Sequence, residues 1–267
     1  MIEGVSAKGD TLTKNETFPR YADIANQLEQ EIATLGPNSL LATEEQLAHR
    51  FSVSRVTVRS ALDLLERSGL VSRLRGRGTV VSPPKVTRRF SPLYSFEKDL
   101  TSQGISFTTK VLSHSDQADV PAEIRQRFRL PRNAPIGHVA LVRIVDDRII
   151  CHHDRYYPGR IARKIQPQQI EVRDAADLLE EVVGQPIVGV NWESEIVPVS
   201  ADIAVALEVA SRTLVFANTY TWLGADDTTL EAGVVSYRID RCKFKFEINL
   251  NSPGTNSEAM ASIKMSL

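Results

Sequence analysis

The chain has 267 residues, room for one large domain or two ordinary ones, and its 42% hydrophobic content is enough to bury a core, which excludes disorder throughout. Lys+Arg 32 against Asp+Glu 33 leaves a formal net charge of -1, so overall charge marks neither a nucleic-acid coat protein nor an acidic tail protein. Cys151 and Cys242 are the only cysteines and lack metal-type spacing, which argues against a disulfide scaffold or a zinc ribbon and for two inert thiols in a reducing cytoplasm. No apolar run approaches the roughly 20 residues of a bilayer span, and the polar N-terminus does not read as a signal peptide, so a soluble intracellular protein is expected.

Taken in chain order, the first 17 residues are polar and without a sustained apolar period, and are expected to be mobile. Tyr21, Ile24, Leu28, Ile32 and Leu35 then form a helical stripe that Gly36-Pro37 stops. A second, shorter stripe, Leu47, Ala48 and Phe51, follows Thr43-Glu44-Glu45-Gln46, in which Thr43 can cap the helix and Gln46 holds the reciprocal capping-box position. Ser52-Val53-Ser54 makes a tight turn, with Ser54 as the cap of a third helix whose inner face is Val58, Ala61, Leu62 and Leu65 and whose stop is Gly69. Arg55, Val56, Thr57 and Arg59 are left facing outward. Two short β-prone runs, 70–74 and 79–81, flank Arg75-Gly76-Arg77-Gly78 as a hairpin. Three helices and a basic hairpin make a winged helix-turn-helix.

Charge supports a nucleic-acid role for this segment. From Arg50 to Arg89 ten basic side chains face only Asp63 and Glu66. Residues 1–90 hold 13 basic and 10 acidic side chains, so the rest of the chain is mildly acidic and near-neutrality is an average over two parts. Reading a major groove requires long donors on the first turns of a narrow helix, with small or hydroxyl residues between them. Ser54-Arg55-Val56-Thr57-Val58-Arg59 supplies that set: Arg55 and Arg59 share a helix face and can each present a forked guanidinium to guanine, while Thr57 suits a phosphate or a thymine methyl. In the wing, Gly76 permits close backbone approach while Arg75 and Arg77 reach phosphates or the minor groove.

Residues 18–82, above all VSRVTVRSALDLLERSGLVSRLRGRGTVV, resemble the DNA-binding domain of the GntR family of bacterial transcription regulators. The resemblance implies that Arg55 and Arg59 read guanines in a palindromic operator and that Gly76 lies at the minor groove. One departure is Glu45, which stands where such proteins commonly carry a basic residue, so the operator contact made from that position is expected to differ.

Ser82-Pro83-Pro84-Lys85 holds the chain extended, and residues 83–90 are read as an interdomain linker. Beyond it the pattern is α+β with a mainly antiparallel sheet. Helices are expected near 96–103, 121–128, 174–183 and 200–208, and strands near 107–113, 136–146, 149–157, 187–198, 213–223, 230–238 and 243–250. A weak internal echo favours hairpin pairing: Pro135-Ile136, Asp146-Asp147 and Tyr157 recur as Leu214-Val215, Asp226-Asp227 and Tyr237. Residues 251–267 are read as a flexible tail.

The order SPLYSFEKDLTSQG, FRLPRNAPI, a strand pair ending in YYP, DLLEEVVG and LEAGVVSYRIDRCKFKFEI over 91–250 resembles the UTRA effector-binding domain of the HutC subfamily, which is similar in fold to chorismate lyase. The resemblance implies an effector cleft ringed by Ser95 and Phe96 at a helix start, Arg143, Glu231 and Tyr237. A helix N-terminus and an arginine suit an anionic group, and Glu231 and Tyr237, six apart on one strand face, suit hydroxyls or amines. Phosphosugar-sensing members tend to carry a second arginine, a glutamate and a Ser/Tyr pair where this chain has Leu141, His153, Asp174 and Ala176. Phosphate needs several donors, so a small organic acid or amino-acid-like metabolite is expected instead, with His153 and Asp174 at its site.

Cys151-His152-His153-Asp154 is not expected to hold a metal, because adjacent strand residues point to opposite faces. G-x-S-x-G, G-x-x-x-x-G-K-[ST], H-E-x-x-H and G-x-G-x-x-G are all absent. No catalytic residue, cofactor or metal is implied. The rival reading, a lyase-like enzyme targeted by the winged helix, requires an acid or base at the cleft, for which Glu231 or His153 are the candidates. The sequence is thus read as a ligand-responsive regulator, most simply a repressor, acting as a homodimer on duplex DNA.

Overall fold

The computed structural model describes residues 19–89 and 95–245. The chain divides into two compact units after Pro84. In the N-terminal unit, α1 (Arg20–Ile32), α2 (Glu44–Phe51) and α3 (Arg55–Arg67) precede the antiparallel pair β1 (Val71–Leu74) and β2 (Gly78–Val81). Ile24, Leu28 and Ile32 of α1 meet Leu47 of α2 and Val58, Ala61, Leu62 and Leu65 of α3 in one core. Tyr21 belongs to the same expected stripe but is 39% exposed. An amphipathic period defines a helix face, not how far its neighbours cover it. The segment Asn38–Leu41 also runs along β2, through Asn38 N–H to Val81 O and Leu41 N–H to Thr79 O, both at 2.8 Å.

The C-terminal unit is built on a six-stranded antiparallel sheet. Its strands are β4 (Thr108–Ser115), β5 (Ile136–Val145), β6 (Arg148–Pro158), β7 (Gly189–Pro198), β8 (Leu214–Leu223) and β9 (Thr229–Arg238), in the order β4-β5-β6-β9-β8-β7. Two three-strand meanders therefore meet at the β6–β9 seam. Asp154 pairs with Val234 there, and residues about eighty apart take equivalent places on either side, as the echo in the sequence suggests. Asp146 and Asp147, both at positive φ, turn the β5–β6 hairpin, while a longer turn closed by Gly224 N–H to Thr228 O and carrying Asp227 at positive φ links β8 to β9.

Alternation along the strands sorts side chains to two faces. One face carries Leu141, Arg143, Cys151, His153, Arg155, Tyr157, Tyr220, Glu231, Val235 and Tyr237, under α4 (Phe96–Ser102), α6 (Gly159–Ala162), α7 (Pro167–Val172) and α8 (Ala175–Val183). The other packs Tyr156 and Ala232 under α5 (Ala122–Arg127), and Val215 under α9 (Ala201–Leu207). Cys151 and His153 thus lie on the opposite face from His152 and Asp154. Both cysteines are buried and free, and burial pushes their thiols up, that of Cys242 to about 12.

The expected linker over 83–90 is shorter than the composition suggests. Val86–Arg89 form β3, which pairs in parallel with β10 (Cys242–Lys245) in the C-terminal unit. Its partner lies more than a hundred residues away, so no local pattern announces it. Lys85 Nζ donates to Ile239 O at 2.7 Å and Val86 joins an apolar cluster, which ties this segment down. The short helices α6 and α7 carry no extended period: α6 is a single turn, and α7 buries only Ile170, starting at Pro167 with Gln169 Oε1 accepting from Gln166 N–H. The expected strand 243–250 is described only as far as Lys245, and the N-terminal segment and the tail 251–267 lie outside the described residues.

Candidate nucleic-acid interface and effector cleft

Helix α3 is held at its start by Ser54, whose Oγ accepts from Thr57 N–H at 3.2 Å and lies 2.9 Å from Thr57 Oγ1. Thr57 is therefore partly committed to its own cap. The turn before it is made by Ser52 in the left-handed region, the C-cap of α2. With Val58, Ala61, Leu62 and Leu65 turned inward, Arg55, Arg59 and a 73% exposed Val56 form the outer surface of the first turns. The wing turn exposes Arg75, Gly76 and Arg77, with Gly76 at φ 76°, a conformation that favours glycine. Arg73 differs from these two: it bonds Asp63 at 2.5 Å and Glu66 at 2.8 Å and braces the wing against α3.

The first turn of α2 meets the outer arginines. Arg59 donates to both oxygens of Glu44, which holds that carboxyl below its usual range, and Arg55 pairs with Glu45. Nothing in the sequence pattern around Glu44 and Glu45 announces an arginine partner for either carboxylate. The helix-turn-helix crossing brings them together.

In the C-terminal unit the expected effector residues share one sheet face and its covering helices. Ser95 caps α4, accepting from Lys98 N–H at 3.2 Å, and donates to Asp174, which in turn caps α8 by accepting from Ala176 and Asp177 N–H at 3.0 Å each. The two helix starts are thus joined side chain to side chain. Arg143, 1% exposed, bonds Glu97 and Thr109, with its guanidinium 5.0 Å from the Phe96 ring centroid. Glu231 is wholly buried and bound bidentately by Arg155 at 2.8 and 2.6 Å, with the Tyr220 hydroxyl as a further donor. Burial by itself would lower the Arg155 guanidinium, but Glu231 outweighs it and the group sits well above its usual value.

Tyr237 is buried over Arg88, and burial raises its hydroxyl far above the ordinary phenol range. His153 stands edge-on to Phe96 and 3.4 Å from Cys151 Sγ; burial, then Arg143 and Arg155, hold it neutral. Leu141 is wholly buried among apolar neighbours and offers no donor.

Of the expected residues, Arg143 and Asp174 line a cleft of ≈ 600 Å³ bounded also by Glu97, Lys98, Phe107 and Glu171. Tyr237 shares an apolar cluster with Phe96 of α4, His153 stands against that ring, and Glu231 is buried on Arg155 and Tyr220; none of the three lines the cleft. Period-two reading from His153 would have found Arg155 on the same face. Glu97 and Lys98 carry no such signal, because they reach the cleft through helix packing.

Comparison with known proteins agrees with this architecture. Residues 20–81 match the family described as bacterial regulatory proteins, gntR family, and residues 102–243 match the UTRA domain. The HTH-type transcriptional repressor NagR of Bacillus subtilis is 27% identical over 87% of this chain and 96% of its own length. The mannosyl-D-glycerate transport/metabolism system repressor MngR of Escherichia coli is 28% identical over 67% of this chain and 74% of its own. The crystal structure of PhnF from Mycobacterium smegmatis shares the fold at a TM-score of 0.55 and 22% identity, covering 85% of this chain and 99% of that one. The chain is a DNA-binding transcription regulator of the GntR family, of the type in which a winged helix-turn-helix is joined to a UTRA domain.

Proposed function

We infer that this regulator is a repressor that binds a palindromic operator as a homodimer in the cytoplasm and is released or retained by a small metabolite in its UTRA domain. The observation that supports this best is the outward surface of α3 and of the wing turn, where Ser54, Arg55, Arg59, Arg75, Gly76 and Arg77 are exposed and Thr57 is half-buried on its own cap. One recognition helix reads a short half-site, and two-fold symmetric operators of winged helices are matched by two-fold symmetric proteins.

For the effector, the cleft mixes signs: Glu97, Glu171, Asp174 and Asp177 stand with Lys98, Arg143 and Arg173. Arg143 is already neutralised by Glu97, and Leu141 and Ala176 bring no side-chain donors. That composition suits a small carboxylate or amino-acid-like molecule better than a phosphosugar.

Selection of duplexes from a randomised library by the full chain, followed by sedimentation of the complex, tests the DNA half. A dyad in the selected sequence bound by two chains is expected; a dyad-free site bound by one chain overturns it. Thermal-shift screening of phosphosugars against carboxylate and amino-acid metabolites tests the effector half, where a strong phosphosugar shift overturns the assignment.

A further inference from the structure

Both guanidiniums assigned to base reading are engaged by one element of the protein itself. Arg55 Nη2 lies 2.5 Å from Glu45 Oε1, and Arg59 places Nε and Nη2 at 3.3 and 2.9 Å from the two oxygens of Glu44. Glu44 and Glu45 are neighbours in the first turn of α2, while the arginines stand one turn apart on α3. Both helices are fixed at that end: Thr43 and Gln46 form a reciprocal capping box on α2, and Ser54 caps α3.

The two pairs differ in exposure. The difference lies in the carboxylates: the Glu44 side chain is 29% exposed and that of Glu45 76%, while Arg59 and Arg55 are equally open at 63% and 62%. A pair so open to water contributes little to folding, so stability does not account for it. Its place does suggest a role. A carboxylate beside a phosphate-facing surface weakens sequence-independent attraction to the duplex. A carboxylate on one edge of a guanidinium also restricts the fork that must meet a base edge in plane.

We propose that Glu45 is a specificity-determining residue of the DNA interface: it restrains Arg55 from phosphate contacts and orients it for base contact, as Glu44 does more rigidly for Arg59. The chain then binds arbitrary duplex less tightly and discriminates its operator better. The proposal rests on Arg55 as a reading residue, which Arg55→Ala tests separately.

The experiment uses the full chain and two probes: a mixed-sequence duplex, and the duplex enriched from a randomised library by the wild type. Each is titrated by fluorescence anisotropy across a salt series. Glu45→Gln keeps shape and removes the charge, and Glu29→Gln removes the same charge from an exposed position of α1. Glu45→Gln is expected to tighten the mixed duplex about three- to tenfold, steepen its salt dependence by about one released ion per chain, and lower the operator-to-mixed ratio at least about threefold relative to Glu29→Gln. In an Arg55→Ala background the same substitution should leave that ratio unchanged. A ratio within the change made by Glu29→Gln, or an equal drop with Arg55 already removed, overturns the proposal. Wild-type discrimination by Arg55→Ala alone would instead remove the reading assigned to Arg55.

Discussion

Residues with similar chemistry do different work here according to what surrounds them. Arg55 and Arg59 are exposed and tied only to surface carboxylates, whereas Arg143 and Arg155 are buried with Glu97 and Glu231. Replacing either exposed arginine by Ala is expected to cost about 1–3 kcal/mol of base discrimination, measured by anisotropy against operator variants, with little change in folding. Replacing Glu231 by Gln should instead destabilise the C-terminal unit by about 3–5 kcal/mol in urea unfolding, because Arg155 is left buried without its counter-charge. The buried histidines add a pH term. His153 and His152 are held below the usual 6.5, so the unfolded chain takes up protons that the folded unit cannot. Stability therefore falls as pH drops below 6.5, by at most about 1.4 kcal/mol per pH unit for His153, and over a narrower pH range for the less strongly shifted His152. Unfolding midpoints of the wild type at about pH 5 and pH 7 check this, and His153→Gln should flatten the dependence.

Among the elements, the caps and the glycines at close approaches decide geometry. Ser54 sets where α3 begins and hence which side chains occupy its first turn. Ser54→Ala should cost about 1 kcal/mol of stability in thermal unfolding and lower operator affinity further by fraying that turn. Gly233 lies where β9 crosses the seam: a Cβ there would meet Asp154 O at 2.4 Å and Tyr220 Oη at 2.8 Å. It lets the Tyr220 hydroxyl pass to Glu231. The linked caps of α4 and α8, Ser95 to Asp174, join two helix starts at the rim of the cleft, so side chains read as ligand groups also hold the architecture.

At the scale of the whole molecule the two units have separate cores, one drawn from the three helices and the wing and the others from the sheet and its covering helices. Separate cores permit separate unfolding. Leu62→Ala is expected to lower the N-terminal transition by about 2–5 kcal/mol and leave the C-terminal one unchanged, as followed by calorimetry. A common shift of both transitions would show that the units unfold as one.

Much of the secondary structure is legible in the sequence because local physics controls it. A capping box, a serine cap, a 3.6-residue period and a glycine-bounded basic turn place α1 to α3 and the wing, and period-two runs place the strands of the large sheet. The outward set on α3 was legible for the same reason, since it is the complement of Val58, Ala61, Leu62 and Leu65. Which residues meet across long separations is settled by packing. The pairing of Val86–Arg89 with Cys242–Lys245, the partnership of Arg143 with Glu97, the seating of Glu231 on Arg155 and the contact of Glu45 with Arg55 all join different elements. Charge and periodicity identify a face or a donor, but a partner on another element is fixed by how the elements pack, and no local pattern in the chain encodes that distance.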